Sequence, residues 1–438
     1  MSETDRSTSG GSGGRGPGSS RAGESTADTP GDGEGAAEAG ERPAPLHDLR
    51  VLSIAQFGAG PFGTTLLADL GAEVIKIENP ATGGDVARYV PPTDVEGDSL
   101  YFQGFNRGKK SVAIDLREPG GRDAFEELVR VSDGLYYNLR GDLPERLGLT
   151  YDDLKHLNPA LVTCSLSGFG TDGPRAGQPG YDALVQGLAG YLSMTGEPGA
   201  PPTKCGVSVV DFASGYSSVL GLVAGLLQAR TTGRGRDVDV SLMDTAVSML
   251  SYFASWHLNL GWEPERMPGS GHQSLVPARI FPTDDGWISV FCAKETFWRR
   301  LARGLGREDL LQDGRFDTFA DRREHREELE AILEEAFSRK STEEWLEVLE
   351  GEVPVAPVNT LSEALREEQV RDRGMILEVE HPEFGTMRQV AHPVKTEGVP
   401  ARPEAAPELG GDTDRVLGDL CGFTEERIAE LRESGAVR

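Results

Sequence analysis

Short apolar runs recur along the first half of the chain, over 50–55, 73–77, 112–115, 134–137 and 161–165, each of strand length. Segments of helical length, at 64–70 and 121–131, separate some of them. That alternation predicts a parallel sheet with helices on its faces. Turn residues at 167–174 predict a loop, followed by a helix over 181–192, a loop over 196–205, a long apolar helix over about 210–230 and a strand over 237–241. Glycine, proline, serine and histidine mark a further loop over 267–275, after which the pattern changes. Residues 276–375 predict a strand at 287–291 and helices near 294–305, 321–338, 342–350 and 361–369, the second rich in Glu and Arg at helical spacing, as on a solvated face. From 376 short strands return, and a last helix is expected near 424–434.

Composition adds the ends of this picture. Residues 1–45 are rich in Gly, Ser, Thr and acids and contain no Ile, Val, Phe, Tyr or Trp, so they predict a disordered tail without the features of a secretory or transit leader; a cytoplasmic location is expected. A formal net charge of −27 argues against nucleic acid. Between 76 and 146, however, Lys76, Arg88, Arg107, Lys109, Lys110, Arg140 and Arg146 supply cations that could meet phosphates. The long apolar helix contains Ser, Tyr and Gln and is expected in a core, not a membrane. Cys164, Cys205, Cys292 and Cys421 lack metal or redox spacing, so reduced thiols and no metal are expected.

Candidate chemistry starts at 58–63, where the first strand feeds a glycine-rich turn that opens a helix, a device for holding phosphate on free backbone N–H groups. The spacing also satisfies G-x-G-x-x-G, with Glu78 twenty residues after Gly58, so a dinucleotide is one reading of the turn taken alone. Further motifs follow in order: Tyr101-Phe102-x-x-Phe105-Asn106-Arg107-Gly108-Lys109-Lys110 and on to Leu116; Asn138-Leu139-Arg140-Gly141 with Glu145 to Gly148; Gly168-Phe169-Gly170-x-x-Gly173-Pro174; Gly180-Tyr181-Asp182; Val209-Val210-Asp211; and Gly233-Arg234-Gly235. Together, from Leu46 to the C-terminus, they resemble the family III coenzyme A transferases, such as formyl-CoA transferase and carnitine CoA-transferase, whose superfamily includes α-methylacyl-CoA racemase.

The resemblance implies an α/β fold: a doubly wound, Rossmann-like large domain over 46–230 completed by 385–438, a linker with a glycine loop over 231–275, a smaller α+β domain over 276–375, a return over 376–438, and an interlocked homodimer. It implies transfer of coenzyme A from an acyl-CoA donor to a carboxylic acid through covalent aspartyl intermediates, with a CoA thioester as substrate and no tightly bound cofactor. Asp211 takes the catalytic position; its alternative reading is a helix N-cap. Gly269 and Gly271 correspond to a loop that shields intermediates, beside His272, which reads as a surface histidine. Coenzyme A contacts fall on Phe57, Gly58, Ala59, Asn79, Ile114, Asn138, Leu139, Arg146 and Leu147. Formyl-CoA transferase has an arginine at the position of Asn79, and Arg88, Arg107 or Lys109 could replace it. Tyr181, Asp182 and Glu295 fall in the substrate pocket. Tyr181 stands where the racemase branch has a histidine base, which favours transfer because a phenol is a poor base near neutral pH. Glu295 aligns with a racemase glutamate and supports the alternative of α-carbon proton exchange, unless it is only an exposed first-turn acid. A non-catalytic CoA-binding protein is the remaining alternative.

Overall fold

The computed structural model describes residues 43–92, 95–397, 399, 401 and 403–438. Residues 1–42 of the expected tail lie outside the described residues. Six strands form the main sheet: β1 (Arg50–Ile54), β2 (Glu73–Glu78), β3 (Lys110–Ala113), β4 (Gly134–Tyr137), β5 (Val162–Ser167) and β6 (Arg236–Ser241). They pair in the order β3-β2-β1-β4-β5-β6, and every pairing is parallel. β4 and β5 are buried along their whole length, as a sheet covered on both faces requires, and β5 (VTCSLS) meets this with small Ser and Thr side chains among its apolar ones.

Helices supply the two covers. On one face, Val51, Val74, Tyr136, Val162 and Leu166 pack with Leu67 of α1 (Ala59–Asp69) and with Leu222 and Leu226 of a long helix, Val209–Thr232. On the other, Leu52, Ile75, Val112 and Leu135 pack with Phe125 and Leu128 of helix Pro119–Arg130 and with Val416, Leu417, Ile428 and Leu431 from the chain's last two helices. The sheet is thus doubly wound. The C-terminus closes it: Val437 bridges Ile114, and the Arg438 N–H donates to the Ala113 carbonyl at 3.2 Å.

Between α1 and β6 the remaining helices are α2 (Leu100–Asn106), α3 (Pro119–Arg130), α4 (Leu143–Arg146), α5 (Tyr151–Leu154), α6 (Asp182–Leu188), α7 (Tyr191–Met194) and α8 (Val209–Thr232). α9 (Leu242–Met249) and α10 (Ser251–Leu260) follow β6. A separate core forms around Trp298, Phe281, Phe337 and Trp345, where β7 (Ala278–Pro282), β8 (Trp287–Phe291) and β9 (Val355–Pro357) make an antiparallel sheet in that order. Its helices are α11 (Glu295–Gly304), α12 (Phe319–Glu324), α13 (Arg326–Phe337) and α14 (Thr342–Leu349). Short helices α15 (Leu361–Ala364) and α16 (Glu368–Asp372) lead to the hairpin β10 (Ile376–His381) and β11 (Gly385–Val390), then α17 (Thr413–Cys421) and α18 (Glu425–Glu433).

Several boundaries differ from expectation. The first helix starts at Ala59, not residue 64, so Gly60-Pro61-Phe62-Gly63 are helical; glycines that look like turn residues serve close packing instead. A Cβ on Gly63 would stand 3.1 Å from the Gly215 carbonyl, and one on Gly215 would stand 2.8 Å from Phe62 Cδ1. This contact draws the starts of α1 and α8 together. The helix expected over 181–192 breaks at Gly190, which adopts φ +86°, and the one over 321–338 breaks at His325. The linker expected over 231–275 contains β6, α9 and α10. α8 has the length and composition of a membrane span, yet one face of it packs on the sheet and on α1.

Candidate active site

The chain runs outward from β1 to β3 and then returns to β4, so the sheet order reverses between β1 and β4, where ligands bind beyond the strand ends in folds of this type. The two strand ends are tied together. The Gln56 N–H donates to Asn138 Oδ1 (2.9 Å), and Asn138 Nδ2 donates to the Gln56 carbonyl (2.8 Å). Phe57 adopts φ +69°, a left-handed conformation that a side chain disfavours, and its N–H donates to Asp85 Oδ1 at 2.9 Å. After Gly58, α1 begins with no side-chain cap, so the N–H groups of Ala59 and Gly60 have no intrahelical acceptor and carry the positive end of the dipole.

Beside Gly58 is Asp211, in the first turn of α8. It is not the cap. Asp182 fills that role: its Oδ1 accepts from the Val210 and Asp211 N–H groups (2.8 and 3.2 Å) and its Oδ2 from Gln186 Nε2 (2.5 Å), while Gln186 Oε1 accepts from the Cys205 N–H (3.0 Å). Among the described residues nothing donates to the Asp211 carboxylate itself. Burial and then the neighbouring Asp182 charge push its pKa up to about 7, overriding the helix end, which alone favours the ionised form. The expected N-cap reading, in which capping keeps Asp211 ionised, is therefore corrected. A Cβ on Gly58 would stand 3.4 Å from Asp211 Oδ2 and 3.3 Å from the Tyr101 hydroxyl, which places both groups in contact with the start of α1. Burial, with Asp211 and Asp85, raises the Tyr101 phenol to about 12 and leaves it a neutral donor.

A cleft of about 440 Å³ opens here. Phe57, Gly58, Ala59, Asn138, Leu139, Tyr181 and Asp211 are in it; Asp182 stands behind as the cap. Asn79 lies in a smaller cavity of about 110 Å³ on the other side of the turn, which shares Gln56 with the cleft, and its carboxamide accepts from the Ala81 N–H. Ile114 is buried against the C-terminus. Arg146 is exposed and 3.4 Å from Asp142, next to the exposed Leu147. Gly269 and Gly271 do not join Asp211: they belong to a separate site, where the Gly269 N–H donates to Glu197 Oε1 (3.0 Å) and Gly271 lines a cavity with Tyr252, His272 and Phe291. Glu295 is in the small domain, its Oε1 accepting from Arg322 Nη2 (3.0 Å) and from the Phe319 N–H (3.1 Å).

Most of the cations expected to meet phosphate are already engaged. Lys76 pairs with Asp85, Arg88 with Glu78 and Arg107 with Asp69, and Lys109 donates to the Pro61 and Phe105 carbonyls, all buried. Arg88, Arg107 and Lys109 thus cannot stand in for the arginine missing at Asn79. Glu78 also disposes of the dinucleotide reading. Burial would raise its pKa, but Arg88 on both oxygens, Lys76 and the Ser111 hydroxyl hold it at about 2, and no oxygen is left facing a ribose. Of the cations that sequence reasoning offered to phosphate, Arg140 lines the cleft; Gln56, which directly precedes the glycine turn, and Tyr101, within a quoted motif, were missed as site residues.

The site thus joins a doubly wound α/β sheet, a cleft at its switch point and a part-buried carboxyl with no protein donor. The sequence profile of CoA-transferase family III matches residues 46–413, and the chain belongs to that family as an enzyme of its type. It is 34% identical to the human succinyl-CoA:glutarate CoA-transferase over 90% of each chain. It is 35% identical to the succinate–glutarate CoA-transferase of Agrobacterium fabrum, over 89% of this chain and 98% of that one. Among solved structures, a CaiB/BaiF family protein from Brucella suis (TM-score 0.75, 33% identity) covers 86% of this chain and all of its own. Rv3272 from Mycobacterium tuberculosis (TM-score 0.76, 30% identity) covers 85% of this chain and 99% of its own.

Proposed function

We propose that the protein moves coenzyme A from an acyl-CoA donor to a carboxylic acid acceptor, with Asp211 as the covalent carrier. The observation that carries this reading is the Asp211 carboxyl, free of protein donors, raised to about 7 and lining one cleft with Gly58 and Ala59 at the uncapped start of α1. An ionised Asp211 oxygen attacks the donor thioester carbonyl and the CoA thiolate leaves, giving a mixed anhydride. The thiolate then attacks the Asp211 carbonyl carbon, the donor acid departs with one Asp211 oxygen, and an aspartyl-CoA thioester remains. The acceptor carboxylate attacks that thioester and expels the thiolate. The thiolate attacks the acceptor acyl carbon of the new anhydride, giving acyl-CoA and free Asp211. No water or net proton is consumed. The N–H groups at the start of α1 stabilise each tetrahedral oxyanion, a contact worth ~3 kcal/mol in comparable sites, and the Tyr101 phenol adds a neutral donor.

The acceptor is a dicarboxylic acid in this reading. Relatives are named for transfer between succinyl-CoA and glutarate, mesaconate or D-citramalate, and one for oxalate. Arg140, whose Nε and Nη2 donate to Asp142, is the one cation lining the cleft among the described residues, and its remaining N–H groups suit the distal carboxylate. Because the glycine loop and Asp211 line separate cavities within one chain, we assign Gly269 and Gly271 to the covering of a second copy's cleft in an interlocked homodimer. Exposed Leu220, Leu227, Leu258 and Leu260 on α8 and α10 offer the apolar surface for it. Proton exchange at the α-carbon is less well supported, since the cleft lining supplies only the exposed Tyr181 phenol beside Asp211.

Incubation with succinyl-CoA and a panel of dicarboxylic acids, followed by borohydride trapping and peptide mass analysis, tests the proposal. New acyl-CoA and a reduced Asp211 are expected. Modification at another residue, or full turnover by Asp211→Asn, would sink it.

A further inference from the structure

We infer that Lys76 and Asp85 are positioning residues for the reaction, a buried ion pair that fixes the strained turn in front of Asp211. Both side chains are 1% exposed and 2.7 Å apart. Desolvating two charges costs several kcal/mol per ion, so a pair of this kind is poor support for stability alone. Its contacts point to another task. Lys76 Nζ also donates to the Ala55 carbonyl (2.5 Å), and Asp85 Oδ1 accepts from the Phe57 and Ala87 N–H groups, each at 2.9 Å. The pair therefore grips the chain immediately before and after Gln56, whose own backbone is held by Asn138.

The residue gripped most directly is Phe57, in the left-handed region where a bulky side chain costs ~1–3 kcal/mol. Such a conformation persists only when its surroundings enforce it, and Asp85 is the acceptor that does so. A second pair backs the first: Glu78 Oε2 accepts from the Asp85 N–H (3.0 Å) and from Arg88 Nε (2.9 Å). From Phe57 the chain passes through Gly58 into the uncapped start of α1, where Gly58 and Ala59 line the cleft with Asp211. A lysine within the otherwise apolar run Val74-Ile75-Lys76-Ile77 is the sequence trace of this device.

The inference rests on the reading of the Asp211 cleft as the reaction centre. Steady-state kinetics of the full-length protein with succinyl-CoA and glutarate, on wild type, D85N, F57G, D85N/F57G and D211N, test it. D85N is expected to lose roughly 100-fold in kcat with KM for succinyl-CoA changed less than about threefold, because displaced N–H groups fail the transition state more than the bound thioester. Glycine adopts the left-handed conformation without strain, so adding F57G to D85N should return at least ~10-fold of the lost kcat. A kcat for D85N within about threefold of wild type, or no recovery in the double variant, overturns the inference. If D85N does not fold, K76M/D85N, which removes both buried charges, takes its place in the cycle. D211N at full activity would instead overturn the reading of the cleft itself.

Discussion

At the scale of the residue, Asp211 combines two properties that rarely coincide: a first-turn position that favours its charge and a pocket that opposes it. Burial and Asp182 prevail and set its pKa at about 7. The nucleophile is the ionised form, so kcat/KM for the donor should climb as pH rises through about 7 and level off above it, as a pH profile of initial rates would show. Stability runs the other way. Because the folded-state pKa lies above the ordinary 3.8, the favourable contribution of Asp211 is full below about pH 4 and is lost as pH rises through 7. Asp211→Asn escapes that loss and should unfold at higher denaturant than wild type at pH 8, by at most ~4 kcal/mol, with the gap narrowing toward pH 4. The position of Asp211 was legible in the sequence only through the resemblance. Its environment was not, because Asp182 lies 29 residues away along the chain, and no local pattern says which of two acids caps the helix.

At the scale of the element, the site is made by two helix starts held together at Gly63 and Gly215 and by a cap borrowed from a third helix. Asp182 has two separable effects. Asp182→Asn keeps an oxygen for the Val210 and Asp211 N–H groups but removes the charge, so the rising limb of the pH profile should move to lower pH, while the melting temperature should fall through loss of the bond from Gln186 Nε2 to Oδ2. Asp182→Ala should move the limb similarly and also lower stability by ~1 kcal/mol. An unmoved limb in both would show that burial alone raises Asp211. Alternation of apolar runs made β1 to β5 legible, since a sheet buried on both faces needs continuous apolar strands. α2 went unread even though Ser99 caps it through the Phe102 N–H, and α1 was read too short because its glycines mimic a turn.

At the scale of the whole molecule, Asp211 and Gly271 line separate cavities, and the proposed homodimer is what would bring the glycine loop to a cleft. Light scattering should give twice the mass of one chain. Charged substitutions at Leu258 and Leu260, which are 80% and 77% exposed, should weaken the assembly and lower activity together. A fully active monomer would show that the glycine loop does not cover the cleft from a second copy. The α/β plan with a parallel sheet was foreseen, whereas the fate of the cations was not: a lysine or arginine reads the same in sequence whether it faces phosphate or, like Lys76 and Arg88, a buried acid.

The central claim is that the Asp211 oxygen atoms enter the reaction. A single turnover of the aspartyl-CoA enzyme with acceptor acid labelled with oxygen-18 in its carboxylates, followed by mass analysis of the Asp211 peptide, tests it most directly. One oxygen-18 atom in that carboxyl is predicted, left behind when the thiolate cleaves the second anhydride; new acyl-CoA formed without label at Asp211 would contradict the account.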